Sequence, residues 1–214
     1  MIRIMLADDH TVLRAGLRAI LERHRNFLVI GEAADGRELV RLVEESKPDI
    51  VVTDITMPGL NGTDATQQIT SRFAGVRVIM LSMHSDEAYV LRAMRAGARG
   101  YLVKESAEAD LVNAIEVVHS GRTFLSSSIS SLLKEDYIRQ MQDRSVDDSY
   151  ELLTPREKEV LQLVAEGKSN KDVAALLSLS PYTVETHRSN VLQKLNLHSV
   201  PDLILYAVRK GVIS

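Results

Sequence analysis

Cysteine is absent from the 214 residues of this chain. Its absence excludes disulfides, thiolate metal sites and a cysteine nucleophile. Long apolar runs are also missing: none approaches the roughly 20 residues of a membrane-spanning helix, and the N-terminal apolar stretch is too short for a secretory signal. No internal repeat is visible. We therefore expect a cytoplasmic protein without a membrane partner.

A strong charge of either sign is missing as well. The net charge is -3, and residues 151–214 carry 8 Lys and Arg against 7 Asp and Glu. Nucleic-acid-binding domains usually have a clearly basic surface. Charge alone therefore does not predict nucleic acid binding, and such a function has to be argued from motifs.

Short apolar runs alternate with amphipathic stretches of helical spacing over the first 119 residues. This alternation predicts an α/β fold, a doubly wound five-stranded parallel sheet with helices on both faces. We predict the flavodoxin-like strand order 2-1-3-4-5, in which strands 1 and 3 are neighbours at a switch point. The predicted strands are Ile2–Ala7, Phe27–Ala33, Asp49–Thr53, Val76–Leu81 and Arg99–Val103. The predicted helices are Thr11–Arg23, Gly36–Ser46, Thr63–Phe73, Asp86–Ala96 and Ala107–His119.

Polar side chains follow the apolar runs at the strands' carboxyl ends. They are Asp8 and Asp9 after the first strand, Asp54 after the third, Ser82 after the fourth and Lys104 after the fifth. Ligands of open α/β sheets bind at that edge. Carboxylates suit Mg²⁺ and can accept a phosphoryl group, while an amine and a hydroxyl can bind phosphoryl oxygens. The pattern predicts a site that holds a divalent cation and handles phosphate.

Each of these residues also has an ordinary structural explanation. Asp9 could cap the helix that begins near Thr11, Asp54 could lie in an ordinary loop, and Ser82 and Lys104 could be surface residues. Taken singly, each position favours that explanation. We favour a common site because independent caps and loops have no reason to place these residue types at successive strand ends.

Residues 1–119 resemble the receiver domain of two-component response regulators, and the resemblance covers the whole segment in order and spacing. Many receivers have proline after the lysine, where this chain has Glu105, but several members of the subfamily described below also lack that proline. The matching residues are Asp8-Asp9, Thr53-Asp54, Met57-Pro58, Gly62, Ser82, Tyr101 and Lys104.

The resemblance implies a phosphoacceptor and a metal site. Asp54 would accept a phosphoryl group from a sensor histidine kinase, with Mg²⁺ as the cofactor. Lys104 would neutralise a phosphoryl oxygen. The implied ligands of Mg²⁺ are Asp8, Asp9, Asp54 and the backbone carbonyl of Thr56.

The resemblance also implies a switch pair, Ser82 and Tyr101. Ser82 would move toward the phosphoryl group, and Tyr101 would change rotamer on the face formed by strand 4, helix 4 and strand 5. Thr56 and His84 occupy positions that tune phosphoryl lifetime in the family. His84 could equally be a solvated loop histidine.

The rest of the chain predicts a linker and a small helical domain. Residues 120–150 are Ser-rich and then acidic, which is typical of a linker, with a helix predicted over Ile129–Gln142. Residues 151–214 predict a small all-α four-helix domain, and the tight turn Ser178–Ser180 predicts a helix-turn-helix. Its helices are predicted over Pro155–Glu166, Asn170–Leu177, Pro181–Leu195 and Val200–Lys210.

Residues 151–214 resemble the LuxR-type helix-turn-helix. A receiver followed by this module is the NarL/FixJ arrangement. The predicted domains are a receiver over 1–119, a linker over 120–150 and a LuxR-type DNA-binding domain over 151–214. The resemblance rests on Leu153-Thr154, Arg156-Glu157, Gly167, Ser169-Asn170, Ala174, Ser180, Thr183-Val184, His187 and Lys194-Leu195.

The helix Pro181–Leu195 is the recognition helix that this resemblance implies, and its N-terminal half would enter the major groove. Thr186 could touch a thymine methyl group, and Glu185 could accept a hydrogen bond from cytosine N4. Any single charged side chain could be solvated and not contact DNA, and we favour this for Arg156. His187 is expected near the core of the domain. The predicted DNA contacts are Lys168, Ser169, Asn170, Lys171, Tyr182, Glu185, Thr186, Arg188, Ser189, Gln193 and Lys194.

These features together predict a phosphorylation-switched, DNA-binding transcription regulator that is not an enzyme. Activation would favour a homodimer on a pseudo-palindromic double-stranded site. The apolar stripe of the last helix could serve this dimer or only the domain core. Two alternatives remain: a signalling protein controlled by partner binding without phosphate, and a phosphatase-like enzyme with Asp54 as nucleophile.

Overall fold

The structure, a computed structural model, describes residues 1–130 and 149–213. The chain divides into an N-terminal α/β unit and a C-terminal helical unit. From residue 131 onward, the helix predicted over Ile129–Gln142 lies outside the described residues. No helix of the described parts is long and apolar enough to cross a membrane.

The N-terminal unit is built on one parallel sheet. The predicted fold class and the order of its first five strands are confirmed, since the observed order is β2-β1-β3-β4-β5-β6. Strand β3 is buried throughout, and β4 is buried except at Arg77, as expected for strands with helices on both faces of the sheet. The strands are β1 (Ile2–Ala7), β2 (Phe27–Ala33), β3 (Ile50–Asp54), β4 (Arg77–Ser82), β5 (Gly100–Val103) and β6 (Phe124–Leu125).

The sixth strand differs from the predicted five. It pairs Phe124 with Gly100 and Leu125 with Tyr101, parallel to β5. It lies in residues 120–150, which the sequence predicts to be a linker. Two residues are too short to give a periodic pattern in the sequence, so this edge strand could not be recognised there.

Five helices pack against the sheet, and their ends have local causes. Asp35 caps the second by accepting from the N–H groups of Arg37 and Glu38, and Asn61 caps the third by accepting from the Asp64 N–H. The helices are α1 (Thr11–Glu22), α2 (Gly36–Ser46), α3 (Gly62–Arg72), α4 (Glu87–Arg95) and α5 (Ala107–His119). A short 3₁₀ turn, Lys104–Ser106, joins β5 to α5.

The C-terminal unit contains four helices within residues 149–213. A capping box between Thr154 and Glu157 opens the first, and a second between Ser169 and Asp172 opens the next. Ser178 takes a left-handed conformation with φ 54°, which makes the tight turn of the helix-turn-helix. The helices are α6 (Pro155–Ala165), α7 (Asn170–Leu177), α8 (Pro181–Lys194) and α9 (Val200–Arg209).

Candidate functional site

The register of the sheet brings two carboxylates side by side. Ala7 of β1 pairs with Thr53 of β3, so the residues that follow, Asp8 and Asp54, lie at the same level at the carboxyl edge of the sheet. Both side chains are buried, whereas the neighbouring Asp9 is exposed. Asp8, Asp9, His10 and Asp54 each offer a ligand atom, and these atoms lie within 4.8 Å of one another. The predicted acidic crevice is therefore present as a geometric cluster.

Lys104 completes the cluster from the end of β5. Its Nζ atom lies 2.9 Å from Asp8 Oδ2 and 2.8 Å from Asp54 Oδ2, and its side chain is buried. Burial alone would lower the pKa of Lys104, but the ion pairs with Asp54 and Asp8 outweigh it and raise that pKa above 10.5. The lysine thus remains a cation between the two carboxylates.

Asp54 has the opposite balance. Burial raises the pKa of its carboxyl group above 3.8, aided by the charge of Asp8, although Lys104 and the Ile55 N–H both favour the charged form. The Ile55 N–H donates to Asp54 Oδ1 at 2.7 Å. Burial therefore makes the negative charge at this position costly in the ion-free protein.

The loop after β3 is held tightly against Asp54. The Gly62 N–H donates to the Ile55 carbonyl at 2.7 Å, and a Cβ atom on Gly62 would lie 1.8 Å from the Asp54 carbonyl oxygen. Only glycine permits this approach of the α3 N-terminus. Thr56, whose carbonyl was predicted as a metal ligand, is half-buried in the same loop.

His10 is a member of the cluster that the sequence analysis missed. Its Nδ1 atom lies 2.7 Å from Asp9 Oδ1 and 3.1 Å from Asp8 Oδ1. It is the N-cap residue of α1 but makes no side-chain cap bond, so Asp9 is not the cap of this helix. Its position directly after the Asp8-Asp9 pair was the only available signal.

The donor set fits Mg²⁺. The ion prefers oxygen ligands and is usually bound through one or two carboxylates while keeping several waters. Two buried carboxylates and one exposed carboxylate at the same edge provide this arrangement. Asp8, Asp9 and Asp54 would hold the ion, with the Thr56 carbonyl nearby in the chain.

The two predicted switch residues are linked through the backbone of His84. The His84 N–H donates to the buried Ser82 Oγ, and the buried Tyr101 hydroxyl donates to the His84 carbonyl oxygen, each at 2.9 Å. The His84 ring stacks on Tyr89 with their centroids 4.4 Å apart. The structure therefore connects Ser82 and Tyr101 through the β4–α4 loop.

Helix α8 presents a polar stripe opposite its buried face. Val184 and Val191 are buried, and His187 is half-buried, as expected for the core side. The exposed stripe follows helical spacing. It consists of Tyr182, Thr186, Ser189 and Gln193, all predicted DNA contacts.

Three other residues that were predicted to contact DNA form hydrogen bonds with one another. Asn170 Nδ2 donates to Glu185 Oε2, and Arg188 Nη2 donates to Glu185 Oε1 at 2.8 Å. Arg188 Nη1 also lies 3.4 Å from Asn170 Oδ1. The N-terminus of α7 is thereby joined to the first half of α8.

Four other basic residues of this unit differ in whether they bind described residues. Lys194 Nζ lies 2.6 Å from Oε2 of the buried Glu157, and Arg156 donates to the Leu177 carbonyl at 2.7 Å and to Glu159. Arg156 is therefore not simply solvated. The exposed Lys168 and Lys171 form no ion pair with any described residue. Ser169 caps α7, with its hydroxyl 2.6 Å from Asp172 Oδ2.

The last helix contributes both to the core and to the surface. Leu203 and Ala207 are buried in the core of the C-terminal unit. Leu205 and Val208 are 56% and 46% exposed. Of the apolar residues of this helix, Leu205 and Val208 therefore lie at the surface.

Comparison with known families gives two matches along the chain. Residues 4–116 match the family described as the response regulator receiver domain. Residues 151–207 match the bacterial regulatory proteins of the luxR family. The two matched segments correspond to the units that contain the acidic cluster and the helix-turn-helix.

Individual proteins are also similar to this chain. The chain is 36% identical over 215 residues to the oxygen regulatory protein NreC of Staphylococcus epidermidis, covering 99% of both chains. A LuxR-family two-component response regulator from Aurantimonas sp. SI85-9A1 has a TM-score of 0.63 at 42% identity, covering 64% of this chain and 99% of that one. A structure of two RcsB dimers bound to two parallel DNAs has a TM-score of 0.59 at 26% identity, covering 97% of this chain and 98% of that one.

Proposed function

This chain belongs to the two-component response regulators that carry a LuxR-family DNA-binding domain, and from that membership we propose that phosphorylation of Asp54 controls its binding to DNA. It is a transcription regulator and not an enzyme. One observation carries the proposal: Lys104 Nζ binds both Asp8 and Asp54 at the carboxyl edge of the sheet. The two carboxylates and the cation lie together there, which supports Asp54 as the proposed phosphoryl acceptor.

The proposed chemistry is the transfer of a phosphoryl group from a phosphohistidine of a sensor kinase to Asp54. An Asp54 oxygen attacks the phosphorus, and the bond between phosphorus and the histidine nitrogen breaks. Phosphoryl transfer requires mainly positioning and neutralisation of charge. Lys104 is proposed to bind one phosphoryl oxygen, and the Ser82 hydroxyl is proposed to bind another.

Mg²⁺ is the proposed cofactor. When bound, it would supply positive charge against the phosphoryl oxygens. Asp8, Asp9 and Asp54 would hold it, with the Thr56 carbonyl as a further ligand. The burial of Asp8 and Asp54 supports this proposal, because buried carboxylates need cationic partners.

The phosphoryl signal is proposed to leave the pocket through Ser82 and Tyr101. If Ser82 turns toward the phosphoryl group, its Oγ gives up the bond from the His84 N–H. The loop that carries His84 can then rearrange, which releases the Tyr101 hydroxyl from the His84 carbonyl. A two-state unit of this kind shifts toward the conformation that the modification favours.

The proposed output is binding of a dimer to double-stranded DNA. The stripe of Tyr182, Thr186, Ser189 and Gln193 would face bases in the major groove, while Lys168 and Lys171 would contact phosphates with the N-terminus of α7. We assign Lys194 to a structural ion pair because Glu157 holds it. A two-fold dimer would match a pseudo-palindromic site, and exposed Leu205 and Val208 on α9 support such an interface.

The domain limits form part of this proposal. We propose a receiver over 1–119, a linker over 120–150 and a DNA-binding domain over 151–214, with strand β6 extending the receiver sheet into the linker segment. A regulator that binds chromosomal DNA of a bacterium acts in the cytoplasm, where we place this chain.

The test compares the parent chain with Asp54→Asn. Each is incubated with a radiolabelled small phosphodonor and Mg²⁺, and label, oligomeric state and DNA binding are measured. We expect the parent to take up one label per chain and to dimerise, and the variant to do neither. Equal labelling of the variant would show that Asp54 is not the acceptor. Turnover well beyond one equivalent would favour a phosphatase, and labelling without any change in DNA affinity would favour control by a partner protein.

A further inference from the structure

Glu185 is held by two donors that come from different helices. Asn170 donates to its Oε2 from the N-terminus of α7, and Arg188 donates to its Oε1 from the next turn of α8. The contact between Arg188 Nη1 and Asn170 Oδ1 closes the network. An exposed glutamate normally samples many rotamers, whereas this one has both carboxylate oxygens fixed.

The carboxylate nevertheless keeps accepting capacity toward solvent. Each carboxylate oxygen has about two lone-pair sites, and only one donor from the described residues binds each oxygen. The Glu185 side chain is 46% exposed and the Arg188 side chain 30% exposed. Glu185 lies in the first half of α8, the half that enters the groove in helix-turn-helix proteins. A preorganised hydrogen-bond acceptor is thus presented at the DNA-facing end of the helix.

The edges of the bases in the major groove differ in what they offer such an acceptor. Cytosine presents only the N4 amino donor, guanine presents two acceptors, and thymine presents an acceptor and a methyl group. Adenine presents the N6 donor beside the N7 acceptor, which would face the carboxylate unfavourably. A fixed carboxylate therefore matches cytosine best.

We propose that Glu185 is a specificity-determining residue that accepts a hydrogen bond from cytosine N4 in each half-site, and that Asn170 and Arg188 are its positioning residues. This inference rests on the proposed binding of DNA through α8. Arg188, which was predicted only as a DNA contact, thereby becomes a positioning residue. Its charge is neutralised by Glu185, so affinity for phosphates falls to side chains such as Lys168 and Lys171.

Loss of a phosphate contact and loss of a base contact have different effects on DNA binding. Losing a phosphate contact weakens binding to every sequence about equally and reduces the dependence on salt. Losing a base contact changes the preference at one position and leaves the others unchanged. A residue with only a structural role would lower affinity for all sites without altering the ranking of bases.

The test selects bound DNA from a library with randomised half-sites, using the full chain treated with a small phosphodonor, followed by sequencing. The variants are Glu185→Gln, Glu185→Ala, Arg188→Met and Arg188→Lys, with Lys171→Met as the phosphate-contact control. We expect the parent to select cytosine at one position of each half-site. Glu185→Gln should lose that preference about tenfold or more and move toward adenine, which glutamine binds bidentately.

The positioning role is tested by the arginine variants. Arg188→Met should weaken the cytosine preference, and Arg188→Lys should restore part of it because lysine can still donate to Glu185. Lys171→Met should bind more weakly with an unchanged base profile. Unchanged profiles for both Glu185 variants, with DNA still bound, would overturn the inference and leave the proposed function intact. A parent chain that selects no sequence at all would overturn both.

Discussion

The Tyr101 hydroxyl donates a 2.9 Å hydrogen bond to the carbonyl oxygen of His84. The N–H of His84 donates to Ser82 Oγ. His84 therefore connects Ser82 at the end of β4 with the side chain of Tyr101 in β5. Tyr101 is fully buried, and burial raises the pKa of its hydroxyl above 10. The hydroxyl therefore stays protonated and donating throughout the physiological range.

Tyr101→Phe should loosen this loop. The ring still fills its site, but the His84 carbonyl loses its donor, which costs about 1 kcal/mol in the free energy of unfolding. Amide hydrogen exchange at Met83–Asp86 should speed up. Urea unfolding followed by circular dichroism gives the energy. Tyr89→Phe is the control, because the Tyr89 hydroxyl has no hydrogen bond to a described residue; an equal loss in both variants would contradict the assignment.

Lys104→Met should destabilise the ion-free protein at pH 7. It leaves the buried Asp8 and Asp54 without their counter-ion, and breaking a buried pair costs about 3 kcal/mol. Because the pKa of Lys104 is raised in the folded state, its contribution is complete below pH 10.5. The stability of parent and variant should converge as the pH rises through the raised pKa.

The same variant should respond more strongly to Mg²⁺. Removing the ammonium group leaves the carboxylates with more need of a cation, so the added ion should raise the melting temperature of Lys104→Met more than that of the parent. Lys168→Met, an exposed lysine of the other unit, should change stability by less than about 0.5 kcal/mol. A smaller Mg²⁺ response in Lys104→Met would argue that the lysine helps to bind the ion.

Asp54→Asn should stabilise the ion-free protein at pH 7. Burial raises the pKa of Asp54 above its unfolded value of 3.8, so ionisation at neutral pH destabilises the folded state. As the pH falls through the raised pKa, the folded parent takes up a proton and the advantage of the variant shrinks. Unfolding in urea across pH 4 to 8 measures this. Added Mg²⁺ should reverse the order, because only the parent offers the full carboxylate set.

Part of the acidic site followed from the sequence because sheet topology is encoded in patterns. Apolar runs of five to seven residues identify strands, and the order 2-1-3-4-5 places the ends of β1 and β3 together. Asp8 and Asp54 had to be neighbours once that order was adopted. His10 did not follow, because its role depends on how an exposed side chain turns toward Asp9.

Pairings between charged side chains were the least predictable feature. The sequence alone does not distinguish Arg156, Arg188 and Lys194 from basic residues that are solvated or contact DNA. Arg156 and Arg188 pair with Glu159 and Glu185 at the i,i+3 spacing of a helix. The other partners are far away in the sequence: the Leu177 carbonyl, Asn170 and Glu157. No periodic pattern records such contacts, since a helical period predicts the face of a residue but not its partner.

Gly62→Ala should be strongly destabilising. Its Cβ would lie 1.8 Å from the Asp54 carbonyl oxygen, and a backbone atom of a buried strand cannot move aside as a side chain can. Overpacking of this kind costs about 3 kcal/mol. Gly16→Ala is the matched control: Gly16 lies within α1 with nothing within 4 Å of an added Cβ, so alanine should stabilise by up to about 1 kcal/mol. Similar effects of both substitutions would contradict the close approach at Gly62.

Lys194→Met should destabilise the C-terminal unit but leave the phosphate contacts with DNA in place. Its ammonium binds Oε2 of Glu157, and removing a charge-assisted bond costs about 2 kcal/mol. Burial would raise the pKa of Glu157, but Lys194 and the bonds to Thr154 lower it below 4.5. This contribution is therefore present above pH 4.5 and is lost as the pH falls through the lowered pKa.

In DNA binding, Lys194→Met should keep the parent's salt dependence, whereas Lys171→Met should reduce the slope by about one. A reduced slope for Lys194→Met, with unchanged stability, would show that Lys194 contacts a phosphate and not Glu157.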